Sequence, residues 1–471
     1  MHLIGSSSLP TPDSREVIVG RLTAFGAILF AATLIWAAPA AATDLYVPEQ
    51  VLVSLAPGHT IDEVNDRWET ATIDSLAGAN VYLLYCEGVE DCEGYAAYMV
   101  IEDPAVAEAE ANYHEETPEA IRQMIIVAVG GTMVDYEDQA LTERIGLDAA
   151  HALSRGAGTR VAVLDTGIDP DHPLFVDRID AVCWDFVEGD PEPWESANGV
   201  DDDGDYIVDE GFGHGTMVAG IVSLVAPETT LLPLRVLDDE GRGTSFGIAK
   251  AIRYAVDQGA DVLNMSFGVP RTISMIGRQL DYADSAGVVL VAGAGNENQH
   301  QQYYPGAHSK TMMVTALDSL DVKADFADWH SNVHVSAPGT GVRSAYPGGE
   351  WGLGAGCSFA TPFIAGEAAL IRSLSAWIAK EEIEVRIASS VDPIYGIPAN
   401  DPYEGQLGAG RIALEDALLG LPAAAPERSG PASVVAHAVP NPATDVIRFT
   451  LPQARGAVSG AVYDLSGRLV K

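Results

Sequence analysis

From Tyr46 onward the apolar positions fall into two rhythms. Between residues 46 and 116, short strand-like and helix-like stretches alternate: VLVSL (51–55), IDEVNDRWETA (61–71), NVYLLYCE (80–87), then a helical run YAAYMVIEDPAVAEAEANY (95–113). This order predicts a small α+β unit. From Tyr136 the runs lengthen and become continuously apolar: VAVLDTG (161–167), MVAGIVSLV (217–225), LLPLRVL (231–237), VLNMSFG (262–268), VVLVAGAGN (288–296) and MMVTAL (312–317). Between and after them lie helical stretches such as IAKAIRYAVDQG (248–259), IGRQLDYADSAG (276–287) and ATPFIAGEAALIRSL (360–374). Strands without polar alternation, separated by helices, are strands buried on both faces, so residues 136–421 are expected to form an α/β domain with a doubly wound parallel sheet. Residues 117–135 read as a linker and candidate processing region. Residues 422–436, rich in Ala, Pro and Ser, read as a second linker. The period-two pattern of 437–471 predicts a β fragment with about half the strands of a sandwich, a truncated domain.

Residues 22–42 are uninterrupted and apolar, follow Arg15 and Arg21, and end in Ala40, Ala41 and Ala42. That pattern predicts a cleavable signal peptide over 1–42 and hence a secreted or cell-surface protein; the alternative is a membrane anchor barely long enough to span. The long polar start, with Asp13 and Glu16, is untypical of such a leader, and Val17 or Val19 is an alternative initiator.

The 471 residues carry 67 acidic against 26 basic side chains, a formal charge of -41, which repels nucleic-acid phosphates. Hence no nucleic-acid partner is expected. Four cysteines in so long a chain are no disulfide scaffold, and they lack zinc-ligand spacing. Cys86 and Cys92 are close enough to close a small loop, whereas Cys183 and Cys357 read equally as buried thiols.

Four motifs carry candidate chemistry. In VAVLDTGID (161–169) Asp165 falls at the carboxyl end of a strand, where ligands of open α/β sheets collect. A buried Asp there can hold a histidine Nδ1–H and stabilise the imidazolium. In GHGTMVAGIV (213–222) His214 opens an apolar helix and can serve as general base, then general acid. In GAGCSFATPFIAGEAAL (354–370) Ser358 precedes a helix opened near its first turn by Pro362, where developing negative charge is favoured. In VLVAGAGNEN (289–298) a strand ends in Gly295 and Asn296, whose amide is a donor for an oxyanion. Each motif alone also has a structural explanation: a turn, a helix cap, a packed His. The order Asp, His, Ser is that of subtilisin.

Together the motifs resemble the subtilase (peptidase S8) family over residues 136–421, with GCSFATPFIAG (356–366) similar to its serine signature. The resemblance implies a serine endopeptidase that hydrolyses polypeptide substrates through an acyl-enzyme, with Asp165, His214 and Ser358 as triad and Asn296 in the oxyanion hole. It implies substrate binding at Ser266, Gly268 and Gly295, with Glu297 as either a rim acid or a solvated one. AVAEAEANYH (105–114) resembles the end of the family's inhibitory propeptides, so 43–116 is expected to be an intramolecular inhibitor of a zymogen. The C-terminal stretch resembles a secretion or sorting domain, whose partner would be secretion machinery.

Several positions depart from the family pattern: Cys357 for Thr, Phe359 for Met, Met217 and Phe363 for His, and Leu174 for a calcium-binding Asp. The last puts the family's common calcium site in doubt. Between Asp165 and His214 lies an acidic insert, NGVDDDGDYIVDEGFG (198–213). Asp201, Asp203 and Asp205, with Asp209 as a further donor, either bind Ca²⁺ through hard oxygen ligands or form a solvated loop. The competing function is a secreted scaffold of the same fold without turnover.

Overall fold

A computed structural model describes residues 45–76, 78–117, 126–375, 377–421, 462–463 and 469–470. The expected leader, the 422–436 linker and most of the C-terminal fragment lie outside the described residues. Of that fragment the described part is an antiparallel pair, Val462–Tyr463 with Leu469–Val470.

The first described unit is built from β1 (Tyr46–Leu55), α1 (Ile61–Trp68), β2 (Ala71–Leu76), β3 (Val81–Tyr85), α2 (Cys92–Glu102) and β4 (Val106–Glu116). The helix anticipated over 95–113 ends at Glu102 instead. Asp103 precedes Pro104 and is extended, a position from which a helix rarely continues. Beyond it the chain pairs antiparallel with β1, Ala111 opposite Val51 and Ala109 opposite Val53. Val51, Val53, Leu84, Cys86, Cys92, Ala96 and Met99 form the small core. Neither Cys86 and Cys92 nor the other two cysteines form a disulfide. Burial pushes the Cys86 thiol up to about 12, so it behaves as a core hydrophobe.

In the larger body β5 (Val127–Ala128), within the expected linker, joins the antiparallel pair β14 (Val342–Tyr346) and β15 (Glu350–Gly354). Short helices apart, the elements of the main sheet and its flanks follow as β6 (Arg160–Asp165), β7 (Trp184–Asp185), α3 (His214–Val225), β8 (Thr230–Arg235), β9 (Arg242–Thr244), α4 (Ser245–Asp257) and β10 (Val262–Met265). Then come α5 (Ser274–Ser285), β11 (Val289–Gly293), β12 (Thr311–Leu317), β13 (Val333–Pro338), α6 (Cys357–Leu374), α7 (Lys380–Ser389), β16 (Val391–Asp392) and β17 (Arg411–Ile412).

Among the described residues the main sheet has nine strands in the order β16-β17-β13-β12-β11-β10-β6-β8-β7, parallel except for β16. β6 shows why the sequence reads as apolar without alternation. Val161 and Val163 face the cluster of α3 and α6, while Ala162 and Leu164 face that of α4 and α5. Both faces are sealed, and each fully buried Val or Leu contributes about 1.5–3 kcal/mol. After β6 the chain places β8 on one side of it and β10 on the other. That reversal opens a crevice at the strands' carboxyl ends, beside Asp165.

α6 runs through the larger core, and Glu367 lies in its buried middle, with neither carboxylate oxygen hydrogen-bonded. Burial pushes its carboxyl well above the usual range. A carboxyl raised in the folded state supports folding fully below its unfolded value and loses that support as pH rises. Glu367→Met should therefore raise thermal stability by about 1–3 kcal/mol near pH 4, where it removes an unbonded neutral carboxyl, and by more at pH 8. Thermal unfolding at both pH values measures this, and an equal effect at the two would contradict it.

Candidate active site

Three adjacent parallel strands set the site. β10 is in register with both neighbours, Met265 opposite Leu164 of β6 and opposite Ala292 of β11. The residues just past this level, Asp165, Ser266 and the Gly293–Asn296 turn, therefore emerge side by side at one rim. Gly295 has φ +109, and a Cβ there would lie 2.3 Å from an Asp328 carboxylate oxygen and 2.7 Å from the Tyr303 ring. Only glycine fits that turn.

α3 delivers the histidine. Gly213, with φ +92, starts the helix so that His214 points back toward β6. His214 Nδ1 lies 2.6 Å from Asp165 Oδ1, and both side chains are buried. The same carboxylate oxygen accepts the Thr166 N–H at 2.8 Å. A neutral imidazole bonded through Nδ1–H presents Nε2 as its basic face.

α6 delivers Ser358. Contrary to the sequence reading, the helix does not open at Pro362 but at Cys357, so Ser358 sits in its first turn and Pro362 is interior. Proline has no N–H for the carbonyl four residues back, which is that of Ser358. Ser266 satisfies it: the Ser266 hydroxyl donates to the Ser358 carbonyl at 2.9 Å, and the Ser358 hydroxyl donates to the Ser266 carbonyl at 3.1 Å. Asn264 Nδ2 donates to Ser266 Oγ at 3.0 Å. This reciprocal pair ties the helix to the end of β10 where a proline would otherwise leave a buried carbonyl unmet. The Phe359 ring packs 5.4 Å from the His214 ring, which joins the α3 and α6 contributions. Cys357 is fully buried in the main core.

Asn296 is also buried, and its Oδ1 accepts the Cys357 N–H at 2.8 Å. That bond fixes the amide with its NH₂ end as the one turned away from Cys357, a donor set beside the start of α6. Asp165, His214, Ser358, Asn296, Ser266 and Gly295 thus gather at one rim.

Gly268 marks an edge that is already occupied. β4 pairs antiparallel with β9, His114 opposite Thr244, Glu115 opposite Gly243 and Glu116 opposite Arg242. On its other side Gly268 N–H donates to the Glu116 carbonyl at 3.1 Å, while Thr117 N–H extends the β9 side, reaching the Gly241 carbonyl at 3.0 Å. An extended segment is inserted between two edges, a strand added to a sheet. Farther back, Asn112 Oδ1 accepts Phe246 N–H at the start of α4, and Glu110 accepts Ser274 and Met275 N–H at the start of α5. β4 therefore supplies acceptors to two helix N-termini, where negative charge is favoured.

The insert places Asp201, Asp203 and Asp205 together, with one carboxylate oxygen of each within 4.8 Å of the others. Asp209 lies outside that group and instead closes the loop, accepting from the Asn198 and Gly199 N–H groups. Sequence reasoning passed over Glu195, which lies at the start of α3, and Glu115, which is fully buried in β4. A single acid among many carries no pattern; only the fold shows what it touches.

Residues 156–409 match the profile of the peptidase S8 group, described as the subtilase family. Thermitase of Thermoactinomyces vulgaris is 33% identical over 264 residues, which is 54% of this chain and 88% of thermitase. Subtilisin of Bacillus pumilus is 34% identical over 248 residues, 50% of this chain and 84% of that protein. The solved structure of fervidolysin from Fervidobacterium pennivorans, a keratinolytic enzyme related to subtilisin, superimposes with a TM-score of 0.67. That match is 22% identical and covers 80% of this chain and 62% of fervidolysin, which shows a shared fold.

The attachment of β4 should depend on pH. Neither oxygen of Glu115 has a hydrogen-bond partner. Burial pushes its carboxyl well above the usual range; the Arg271 guanidinium pulls it down, while Glu110 and Glu116 push it up. Arg242, on β9, is paired with Glu116 at 3.2 Å. A carboxyl raised by docking holds the strand most firmly at low pH and less as pH climbs toward its docked value. In a Ser358→Ala chain, amide-exchange protection of β4 and β9, corrected for intrinsic rates, should fall from pH 5 to pH 8. Glu115→Gln should flatten the trend; an identical trend in both chains would refute the role of Glu115.

Proposed function

The chain belongs to the subtilase family and is a serine endopeptidase, and from that premise we propose that Asp165, His214 and Ser358 form its catalytic triad. The observation that carries this reading is the buried 2.6 Å contact of His214 with Asp165 beside the helix that bears Ser358. In the proposed cycle His214 takes the Ser358 proton as the oxygen attacks the scissile carbonyl. It then returns that proton to the leaving amine, and Asp165 stabilises the imidazolium in between. The carbonyl oxygen, now negative, is received by the Asn296 amide; loss of such a donor costs about 10²- to 10³-fold in subtilisin, a relative of this chain. A water activated by His214 then releases the acyl group and regenerates the serine.

Substrate is proposed to enter as an extended strand along Gly268 and β9, with Gly295 lining the adjoining pocket. β4 lies in that path, which supports the reading of 43–116 as an inhibitory propeptide of a self-processed zymogen. Export by a leader over 1–42, and contact of the C-terminal fragment with secretion machinery, complete the proposal. No helix among the described residues is long and apolar enough to cross a membrane.

In the insert the donor set fits a hard cation: one carboxylate oxygen each of Asp201, Asp203 and Asp205 converges, with the Arg242 guanidinium also acting on Asp203. Nearby, burial and a hydrogen bond with Glu240 raise the Glu210 carboxyl above its usual range, a sign of crowded acidic groups. Asp201, Asp203 and Asp205 would hold the ion, which would brace the insert rather than take part in hydrolysis.

Fluorophosphonate should label the chain freed of residues 43–116, and Ser358→Ala should abolish the label; an unlabelled mature chain would instead favour the inert scaffold. If the insert binds calcium, a chelator should lower the thermal midpoint, and Asp203→Asn should remove most of that response. A midpoint indifferent to chelator leaves only the solvated loop.

A further inference from the structure

α3 begins with a deficit. Its N-cap, Gly213, has no side chain; His214 N–H reaches the Gly211 carbonyl, but the N–H groups of Gly215 and Thr216 lack the usual capping side chain. Glu195, contributed by the loop after β7, fills the gap. Its Oε1 accepts Gly213 N–H at 3.1 Å and Gly215 N–H at 3.2 Å, and its Oε2 accepts Thr216 N–H at 3.3 Å. The hydroxyls of Thr166 and Thr216 also donate to it, one to each oxygen. These hydroxyls have no choice of direction. Thr166 Oγ1 already accepts Gly215 N–H at 2.9 Å, and Thr216 Oγ1 accepts Asp169 N–H at 2.8 Å, so their protons are turned to Glu195. A group that accepts five donors on two oxygens is a carboxylate anion.

The backbone fixes where that anion sits. Glu195 N–H donates to the Ile168 carbonyl at 3.1 Å, and Ile168 N–H to the Pro193 carbonyl at 3.0 Å. The loop is thus laced to the turn just after Asp165. Gly215 is pressed against the same turn, where a Cβ would meet the Gly167 carbonyl at 2.2 Å. Thr166 therefore links three parts: its N–H goes to Asp165, its hydroxyl to Glu195, and its oxygen receives the helix.

We propose that Glu195 is a positioning residue for His214: it anchors the first turn of α3 against the end of β6 and adds a second negative charge that favours the imidazolium. The inference rests on the triad reading above. The Glu195 carboxyl is raised from its usual value, chiefly by burial and also by Asp165, while the two threonine hydroxyls and His214 pull it down. Such coupling is reciprocal: an anion lowered by the imidazolium also favours it. The other nearby carboxylate, Asp169, is turned elsewhere, accepting Gly348 and Gly349 N–H.

Glu195→Gln keeps the length and one acceptor but removes the charge and sets an NH₂ against N–H groups. For the mature enzyme on a peptide substrate, kcat should fall about tenfold or more with KM held within twofold, because a small tilt of the base is costly. The acid limb of kcat/KM should move to lower pH by about 0.3–1 unit, since an attractive charge has been lost. A purely structural loosening would not move that limb. Glu195→Asp, one methylene shorter but charged, should lower kcat with the limb in its wild-type place. It also serves as the test if the Gln chain fails to fold. Variants that match the wild type in kcat and in the limb overturn the inference alone. A wild type that neither turns over substrate nor takes the fluorophosphonate label removes the triad reading and this inference with it.

Discussion

Everything at this rim hangs on keeping an imidazole and a carboxylate together where water is excluded. The Asp165–His214 contact is buried on both sides. A charge-assisted hydrogen bond in such a place is strong, but an unsupported carboxylate there is expensive. The fold meets that cost with backbone: Thr166 N–H serves Asp165, and the parallel register fixes the strand end from which it emerges. The helix that brings His214 must then start within a narrow space, which is why glycines stand at 213 and 215 rather than larger residues.

The same economy governs the serine. A proline inside α6 would ordinarily weaken the helix, yet it frees the Ser358 carbonyl for Ser266 and so ties two elements that share no sequence proximity. Specific backbone defects, each answered by a side chain from a distant part of the chain, hold the pieces in register. These reciprocal bonds tie the parts of the rim to one another.

Much of this was legible in the chain itself. Buried strands such as 161–164 and 289–292 announce a sheet covered on both faces, and the motifs around Asp165, His214, Asn296 and Ser358 name their own positions. Other features were not legible because they are tertiary. The stretch after Pro104 alternates weakly and scores as helix, but the open edge of β1 claims it as a strand. Pro362 looks like a helix start and proves interior, since Ser266 offsets its missing bond. Glu195 and Glu115 are single acids among many, 67 acidic residues in all, and nothing in their neighbours marks them out before the loops close.

The ladder itself has one more implication. Val161 pairs with Leu231 on one side and Val262 on the other, and Ser336 with Arg411, so neighbours in space are far apart along the chain. Contacts of that kind demand large loop closures before any reward arrives, which slows assembly. When native contacts absent from the transition state also hold the sheet, escape is slow as well. Where opening is that slow, the lifetime of a folded chain is set by a barrier rather than by a balance.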